Sequence, residues 1–406
     1  METKTQTRYK VFVTDAGTNA ALAVTRSLAK AGIEVTCGET TKRSKSFYSK
    51  YCTNKVIYPS PSTEPDRFIE YLLNHLEEKR YDVLFPITDP TILCVLKKLK
   101  EFKSCTKIPI KNQATQMKAL DKSQTIKLAS RINVPVPNTY FIRDISGLKE
   151  ISETVNYPVI IKPKQSSFWY SDRIVSGSTV FINTEKDLIE KYQDMHERMP
   201  DPLIQEYIGG EEVGVYMLIQ KGEPKALFSL KRLRSYNPYG GASVLRESIK
   251  TDSKIKEYAL RLLRELNWEG VAMVEFKIDS RDNTPKLMEV NGRFWGSLQA
   301  PIACGVDFPY LLFNQMMDKK VEPVLDYQKG IQCRYLLGDF VYLLKVLRGD
   351  PDSIIEYPKK LPTLINFLKF KRPNLVYDNL SFDDPNVGVR TWLDFIMSFS
   401  KHLRET

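Results

Sequence analysis

Two glutamates set in otherwise apolar runs are the residues of this chain best placed for chemistry. Glu275 lies in the segment 271–276 and Glu289 in 286–290, 14 residues apart. The stretch 279–283 between them (Asp279, Ser280, Arg281, Asp282, Asn283) has the composition of a hairpin turn. Adjacent antiparallel strands would carry both carboxylates, with the Asn291 amide, to one end of a sheet. Two carboxylates that close repel, and one takes up a proton unless a cation neutralises the pair. Oxygen donors alone suit Mg²⁺ or Mn²⁺, which complete their shell with water and nucleotide phosphates. The competing reading, two solvated acids at strand ends, sits poorly with such apolar neighbours.

Two lysines and one turn could serve the same ligand. Lys162 ends the apolar run 157–163, where a sheet presents its binding groups. Lys122 falls in the first turn of a helix begun by Asp121; the helix dipole slightly disfavours a cation there, and a bound anion would remove that penalty. The segment 203–212 passes through Gln205, Glu206, Tyr207 and Ile208 into Gly209 and Gly210. Its backbone could meet the edge of a base, and Glu212 could accept hydrogen bonds from a ribose. Each of these features alone is an ordinary surface feature.

The elements that must position them fall into three stretches. An apolar strand over 9–14, a turn at Asp15, Gly17 and Asn19, a helix over 20–29 and a strand over 32–37 make a βαβ unit of a parallel sheet. The rhythm recurs in a helix over 66–79, a strand over 82–86 and a helix over 90–99. Residues 1–115 are therefore expected to be a β/α domain. Residues 116–320 read as β-rich, with strands over 157–163, 174–182, 203–208, 212–220, 225–233, 270–278 and 286–290, and helices over 185–196 and 252–266. The prolines of 134–137 end the helix that Asp121 caps. Residues 321–406 read as mostly helical. The fold class is α/β, with a parallel N-terminal sheet and an α+β core.

Composition narrows the function. Apolar residues are 42% and charged residues 27% of 406, the balance of a globular chain and not of a disordered one. Sixty Lys and Arg against 49 Asp and Glu give a net charge of +11, which favours anionic partners: phosphates, nucleic acid or membrane headgroups. Three scattered histidines (His75, His196, His402) argue against a His-rich zinc site, a Ser–His triad or a proton relay. Six cysteines without C-x-x-C spacing read as free thiols of a reducing compartment. With no apolar run at the start and no stretch long enough to span a bilayer, a cytoplasmic protein without a membrane span is expected.

Gly17 and Asn19 lack the rest of a dinucleotide fingerprint, so structural support is their expected role. Lys42, Arg43, Lys45, Lys50 and Lys55 alternate with Phe47, Tyr48 and Tyr51, as in single-stranded nucleic-acid sites. A solvated loop, or an entry patch for an anionic substrate, is the preferred reading, and nucleic acid is not expected as a partner. The apolar runs 340–344 and 392–396 suit docking onto the core or onto a second copy of the chain, a homodimer.

In this order the residues resemble the ATP-grasp superfamily, which includes D-alanine–D-alanine ligase, D-aspartate ligase and carbamoyl-phosphate synthase. The resemblance covers about 8–320 and is strongest from Met288 to Phe294. It implies a β/α domain preceding a two-subdomain ATP-grasp core whose lid spans about 150–210. By this resemblance Glu275, Glu289 and Asn291 hold magnesium on the ATP phosphates. Lys122 and Lys162 contact those phosphates, with Ser166 and Ser167 as further donors. Gln205, Glu206, Tyr207 and Ile208 line the adenine pocket, and Glu212 binds ribose. Arg293 stabilises the transferring phosphate, with Arg246 and Lys231 assisting. The implied reaction activates a small-molecule carboxylate as an acyl phosphate for attack by an amine, giving an amide, ADP and phosphate. Bicarbonate-using carboxylating or carbamoylating chemistry is one alternative; a non-catalytic ATP-binding regulatory or nucleic-acid-associated protein is another. One departure stands out: the loop after Lys162, glycine-rich in the family, here carries Phe168, Trp169 and Tyr170, which either cover the acceptor site or simply pack.

Overall fold

The computed structural model describes residues 9–142, 145–199, 201–238, 240–350 and 357–405, with side chains described as far as residue 398 except at 145. Residues 1–8, whose lack of an apolar run entered the reading above, and the side chain of His402 lie outside the described residues. β1 (Lys10–Val13) leads into α1 (Asn19–Lys30), whose first turn Thr18 caps by accepting from the Ala21 amide. The chain returns in β2 (Glu34–Glu39), parallel to β1. β3 (Asn54–Ile57), α2 (Pro65–Lys79) and β4 (Val83–Phe85) extend this into an all-parallel sheet of order β3-β2-β1-β4. α3 (Asp89–Lys97) and α4 (Leu99–Cys105) follow, then α5 (Gln113–Leu120) and α6 (Lys122–Arg131), the last capped by Asp121 as expected.

The second sheet is antiparallel. β5 (Thr139–Phe141), α7 (Leu148–Thr154), β6 (Val159–Lys162), β7 (Ser167–Tyr170), β8 (Arg173–Ser176), β9 (Val180–Ile182), α8 (Glu185–Arg198) and β10 (Leu203–Glu206) follow one another. Four of the strands form the order β5-β10-β6-β9, while β7 and β8 make a separate hairpin. The single strand expected over 174–182 is thus two strands, broken at Gly177, where a Cβ would collide with Met199. Two of the three aromatic side chains of this loop, Phe168 and Trp169, pack against the cores, while Tyr170 is exposed. Phe168 packs on the core of the second sheet, and Ile174 enters the core of the N-terminal sheet. The Ile174 amide donates to the Ser62 carbonyl (2.8 Å), and the Lys97 ammonium lies 4.4 Å from the Trp169 ring centroid.

The third sheet carries most of the remaining chain: β11 (Glu212–Gln220), β12 (Glu223–Asn237), β13 (Gly240–Ser248), α9 (Ser253–Glu265), β14 (Gly270–Ile278), β15 (Pro285–Asn291), α10 (Gln299–Ala303) and α11 (Phe308–Met316). β16 (Gln332–Arg334), α12 (Leu336–Arg348), α13 (Lys360–Phe367), β17 (Leu375–Tyr377) and α14 (Pro385–Glu405) complete it. Its order is β15-β14-β11-β12-β13-β16-β17, antiparallel except for β16 beside β17. α9 buries Ile255, Ala259, Leu262 and Leu263, the i, i+4, i+7, i+8 stripe, against Val215, Met217 and Val274. The C-terminal stretch, expected to be mostly helical, also supplies two strands to this sheet.

The basic, aromatic segment after β2 is tied to the C-terminal stretch at one end, while Lys42, Arg43 and Lys55 are exposed. Arg26 pairs with Asp384 (2.9 Å), Lys50 with Asp383 (2.7 Å), and the Tyr48 hydroxyl donates to Asp394 (2.6 Å). Tyr51 donates to Asp383, and Ser49 to Asp384 (2.6 Å). Acids of the C-terminal stretch thus hold Tyr48, Ser49, Lys50 and Tyr51 of this segment and Arg26 of α1. Both described histidines are packing groups: His75 is hydrogen-bonded to the Tyr81 hydroxyl (3.1 Å), and His196 stacks on Tyr192.

Candidate active site

A cavity of about 850 Å³ opens between the second and third sheets and reaches Asn19 of the N-terminal domain. Six cationic side chains line it, Lys122, Lys162, Arg232, Lys277, Arg293 and Lys345, against three carboxylates, Glu212, Glu275 and Glu289. Ile160, Phe181, Tyr207, Ile208 and Met288 form an apolar part of the wall. An excess of positive charge beside an apolar slot is the chemistry of a site for a polyphosphate joined to a flat, weakly polar group.

The carboxylates are placed by sheet register. Glu275 on β14 stands directly opposite Glu289 on β15, beside a bulge that follows at Phe276. The Asn291 amide donates to Glu289 Oε1 (2.8 Å), and Asp279 takes Arg281 and Lys286 into the turn between the strands. Burial and the facing Glu289 push Glu275 up to about 7. Despite burial, Lys122, the Asn291 amide, Lys162 and Arg293 hold Glu289 down to about 2. One carboxylate is therefore firmly ionised and its neighbour is poised to ionise when a cation arrives. Among the described residues no group of three His, Cys, Asp or Glu side chains converges on a metal position. Two carboxylates and an amide nevertheless suit Mg²⁺, which takes few protein ligands and completes its octahedron with phosphate and water oxygens.

The two lysines meet over this pair. Lys122 Nζ is 3.6 Å from Glu289 Oε2 and donates to Ser166 Oγ (2.7 Å). Lys162, buried at the end of β6, donates to Gln205 Oε1 (2.9 Å), and burial brings its pKa down to about 8. Gln205 is held in turn by donating to Thr139 Oγ1 (2.9 Å). Arg293 lines the cavity and is anchored bidentately to Asp89 of α3 (2.5 and 3.2 Å), which ties the site to the N-terminal domain.

Other expected residues stand elsewhere. Arg246 is wholly buried, paired with Asp378 and 3.4 Å from Cys333 Sγ, and does not line the cavity. Lys231 points to the other face of β12, toward Glu211 (3.9 Å) and Glu247 (3.7 Å). Glu206 faces away from the slot, bound by Lys286 (2.8 Å), Arg281 (3.2 Å) and the Asn138 amide (3.0 Å). Ser167 is engaged with Ser176 (2.7 Å) inside the hairpin, so Ser166 alone of the two serines touches the lysine pair. Tyr207, Ile208 and Glu212 do line the cavity, but Glu212 is paired with Arg232 and lies 3.5 Å from Lys277.

Four charged residues escaped the sequence reading: Arg232, Lys277, Lys345 and Asp89. Arg232 bridges Glu212 and Glu275 (3.6 Å to the latter) from the strand position next to Lys231. Lys277 lies 5.0 Å from the Tyr207 ring centroid, at the mouth of the slot. No local signal marked Arg232, because its partners Glu212 and Glu275 lie on other strands and only strand pairing sets which face of β12 looks inward.

Comparison with known proteins bears on the same region. Residues 198–338 match the family described as ATP-grasp in the biosynthetic pathway with Ter operon. The carbamoyl phosphate synthase large chain of Thermoanaerobacter sp. (strain X514) is 25% identical over 226 residues, 52% of this chain and 20% of that one. The D-alanine–D-alanine ligase of Pelotomaculum thermopropionicum is 27% identical over 222 residues, 48% of this chain and 66% of that one. The chain thus spans a fifth of the length of the first relative and just under two thirds of the second. Among solved structures, N5-carboxyaminoimidazole synthetase from Staphylococcus aureus complexed with ADP superposes with a TM-score of 0.63 at 18% identity, covering 83% of this chain and 85% of that one.

Proposed function

We propose that this chain, whose residues 198–338 match an ATP-grasp family and which resembles ATP-grasp ligases beyond them, is a Mg²⁺- and ATP-dependent ligase joining a carboxylate to an amine. The observation that carries the reading is the cross-strand pair Glu275 and Glu289 beneath Lys122 and Lys162. In this reading the adenine lies in the slot of Ile160, Phe181, Tyr207, Ile208 and Met288. Lys122 and Lys162 meet the phosphates, and Glu275, Glu289 and Asn291 would hold the divalent ion. The ion, when bound, would neutralise phosphate charge.

The chain's own groups then act electrostatically. A substrate carboxylate oxygen attacks the γ-phosphorus, the bond to the β-phosphate oxygen breaks, and ADP leaves. Arg293, fixed by Asp89, offers its guanidinium to the charge on the transferring group. Arg232 holds Glu275 in place and faces the cavity. An amine then attacks the acyl carbon, inorganic phosphate departs, and the nitrogen gives up a proton. No histidine or cysteine is needed. A cytoplasmic location belongs to the same reading, supported by six free cysteines; among the described residues no helix is long and apolar enough to cross a membrane.

Phosphate release from Mg²⁺-ATP, screened over carboxylates with and without amines, tests the proposal. Release that requires both partners supports it. Release with bicarbonate in place of the carboxylate would move the chain to carboxylating or carbamoylating chemistry. Nucleotide binding without release under any pairing would leave a regulatory ATP binder.

A further inference from the structure

The C-terminal helices leave an apolar face that the catalytic reading does not use. α12, α13 and α14 meet through one aromatic cluster: Phe340 lies 6.0 Å from Phe367 and 5.7 Å from Trp392, ring centroid to centroid. Beside that cluster each helix exposes aliphatic residues at helical spacing. On α12 these are Leu344 and Leu347, four and seven residues after Phe340. On α13 they are Leu361 (66% exposed), Ile365 and Leu368. On α14 they are Val389, Leu393 and Ile396 (57% exposed). Three apolar stripes around one cluster exceed the scattered exposure normal on a monomer and mark an interaction face.

Charge indicates the occupant. Lys359, Lys360, Lys369 and Lys371 are exposed at the two ends of α13, and none forms an ion pair with a described residue. Among the described residues, four acids of the same region are already engaged: Asp378 by Arg246, Asp383 by Lys30 and Lys50, Asp384 by Arg26 and Asp394 by Tyr48. Among the described residues the face is therefore apolar at its centre and cationic at its edge. A twofold contact with a second copy would bring the same lysines together, which disfavours a homodimer through this face. Aliphatic stripes with lysines at their border are what a helix lying in a bilayer interface presents. No helix among the described residues is long and apolar enough to cross, so the contact would be peripheral.

We propose that this face docks the protein on an anionic lipid surface, α13 and α14 lying along the headgroups with Ile365, Leu368, Leu393 and Ile396 in the acyl boundary. Cosedimentation of the full chain with phosphatidylcholine vesicles, with and without phosphatidylserine, tests it. The expected result is binding that needs phosphatidylserine and falls as salt is raised. Each of Lys359→Gln and Lys371→Gln should weaken it about fivefold. Ile365→Asp with Leu393→Asp should abolish it while the thermal melting of these exposed-site variants stays that of the parent. Four results would overturn the proposal. One is no vesicle binding at low salt, and another is binding indifferent to all four substitutions. The third is sedimentation showing a dimer that Ile365→Asp dissociates. Binding to soluble polyglutamate but not to vesicles would also overturn it, assigning the face to an acidic protein instead.

Discussion

Replacing Lys162 by methionine separates what this side chain does for a bound nucleotide from its effect on the fold. The ammonium is buried at the end of β6 with Gln205 Oε1 as its hydrogen-bond partner at 2.9 Å. Burial is the largest influence on it and lowers its pKa from the ordinary 10.5 to about 8, with Glu289 and Glu275 opposing and Lys122 and Lys277 reinforcing the change. At about 1.4 kcal/mol per pH unit, holding the charge inside the folded protein costs about 3 kcal/mol. The sign follows from proton counting. Between about 8 and 10.5 the unfolded chain keeps a proton that the folded chain has released, so wild-type stability should rise with pH across that window. Below it the whole penalty is present.

Methionine removes the penalty but leaves Gln205 Oε1 without its donor, a loss of about 1–3 kcal/mol. Lys162→Met should therefore be as stable as the parent at pH 7, or up to about 2 kcal/mol more stable. Its stability should no longer rise with pH between 8 and 10.5. ATP affinity should move the other way. Losing one charged hydrogen bond to phosphate removes about 1.5–3 kcal/mol, or roughly 10- to 100-fold in Kd. Urea unfolding over this pH range, with calorimetric titration of Mg²⁺-ATP, measures both. A variant destabilised by more than about 2 kcal/mol at pH 7, or one with unchanged ATP affinity, would refute the placement of Lys162 at the phosphates.

Glu289→Ala should lower the ligase rate on the order of a thousandfold, about 4 kcal/mol of transition-state stabilisation, with thermal melting little changed; single-turnover phosphate release reads it. Arg246→Met should do the reverse: it leaves Asp378 buried without its partner and costs about 3–5 kcal/mol of folding stability, while the KM for ATP stays put. Asp384→Ala removes the acceptor of Arg26 and Ser49 and should destabilise the chain by about 3 kcal/mol in urea.

Much of the site was legible because its signals are local. A carboxylate in an apolar strand is conspicuous in any register, and a short hairpin turn forces its strands to pair, so Glu275 and Glu289 could be brought together on paper. Asp121 announced a helix start, and with it the place of Lys122. The aromatic loop was legible in composition alone; that Ile174 enters the N-terminal core while Phe168 packs on the second sheet depends on how two layers approach each other. The contacts of Tyr48 and Lys50 with Asp394 and Asp383 were not legible because those acids lie more than 300 residues further along the chain.

By itself the sequence determined the strand that carries each acid and the helix that carries Lys122, since residue type and short-range periodicity are enough for these. Tertiary structure alone decided which arginine serves the cavity. Arg232 and Lys231 are neighbours in sequence but lie on opposite faces of β12, and only the pairing of β12 with β11 fixes which face looks inward. Arg246 is removed from the cavity by Asp378, 132 residues away. Side chains alternate on a strand with a period of two, so a shift of one residue in pairing exchanges the two faces, and strand pairing is settled by contacts that no local stretch contains.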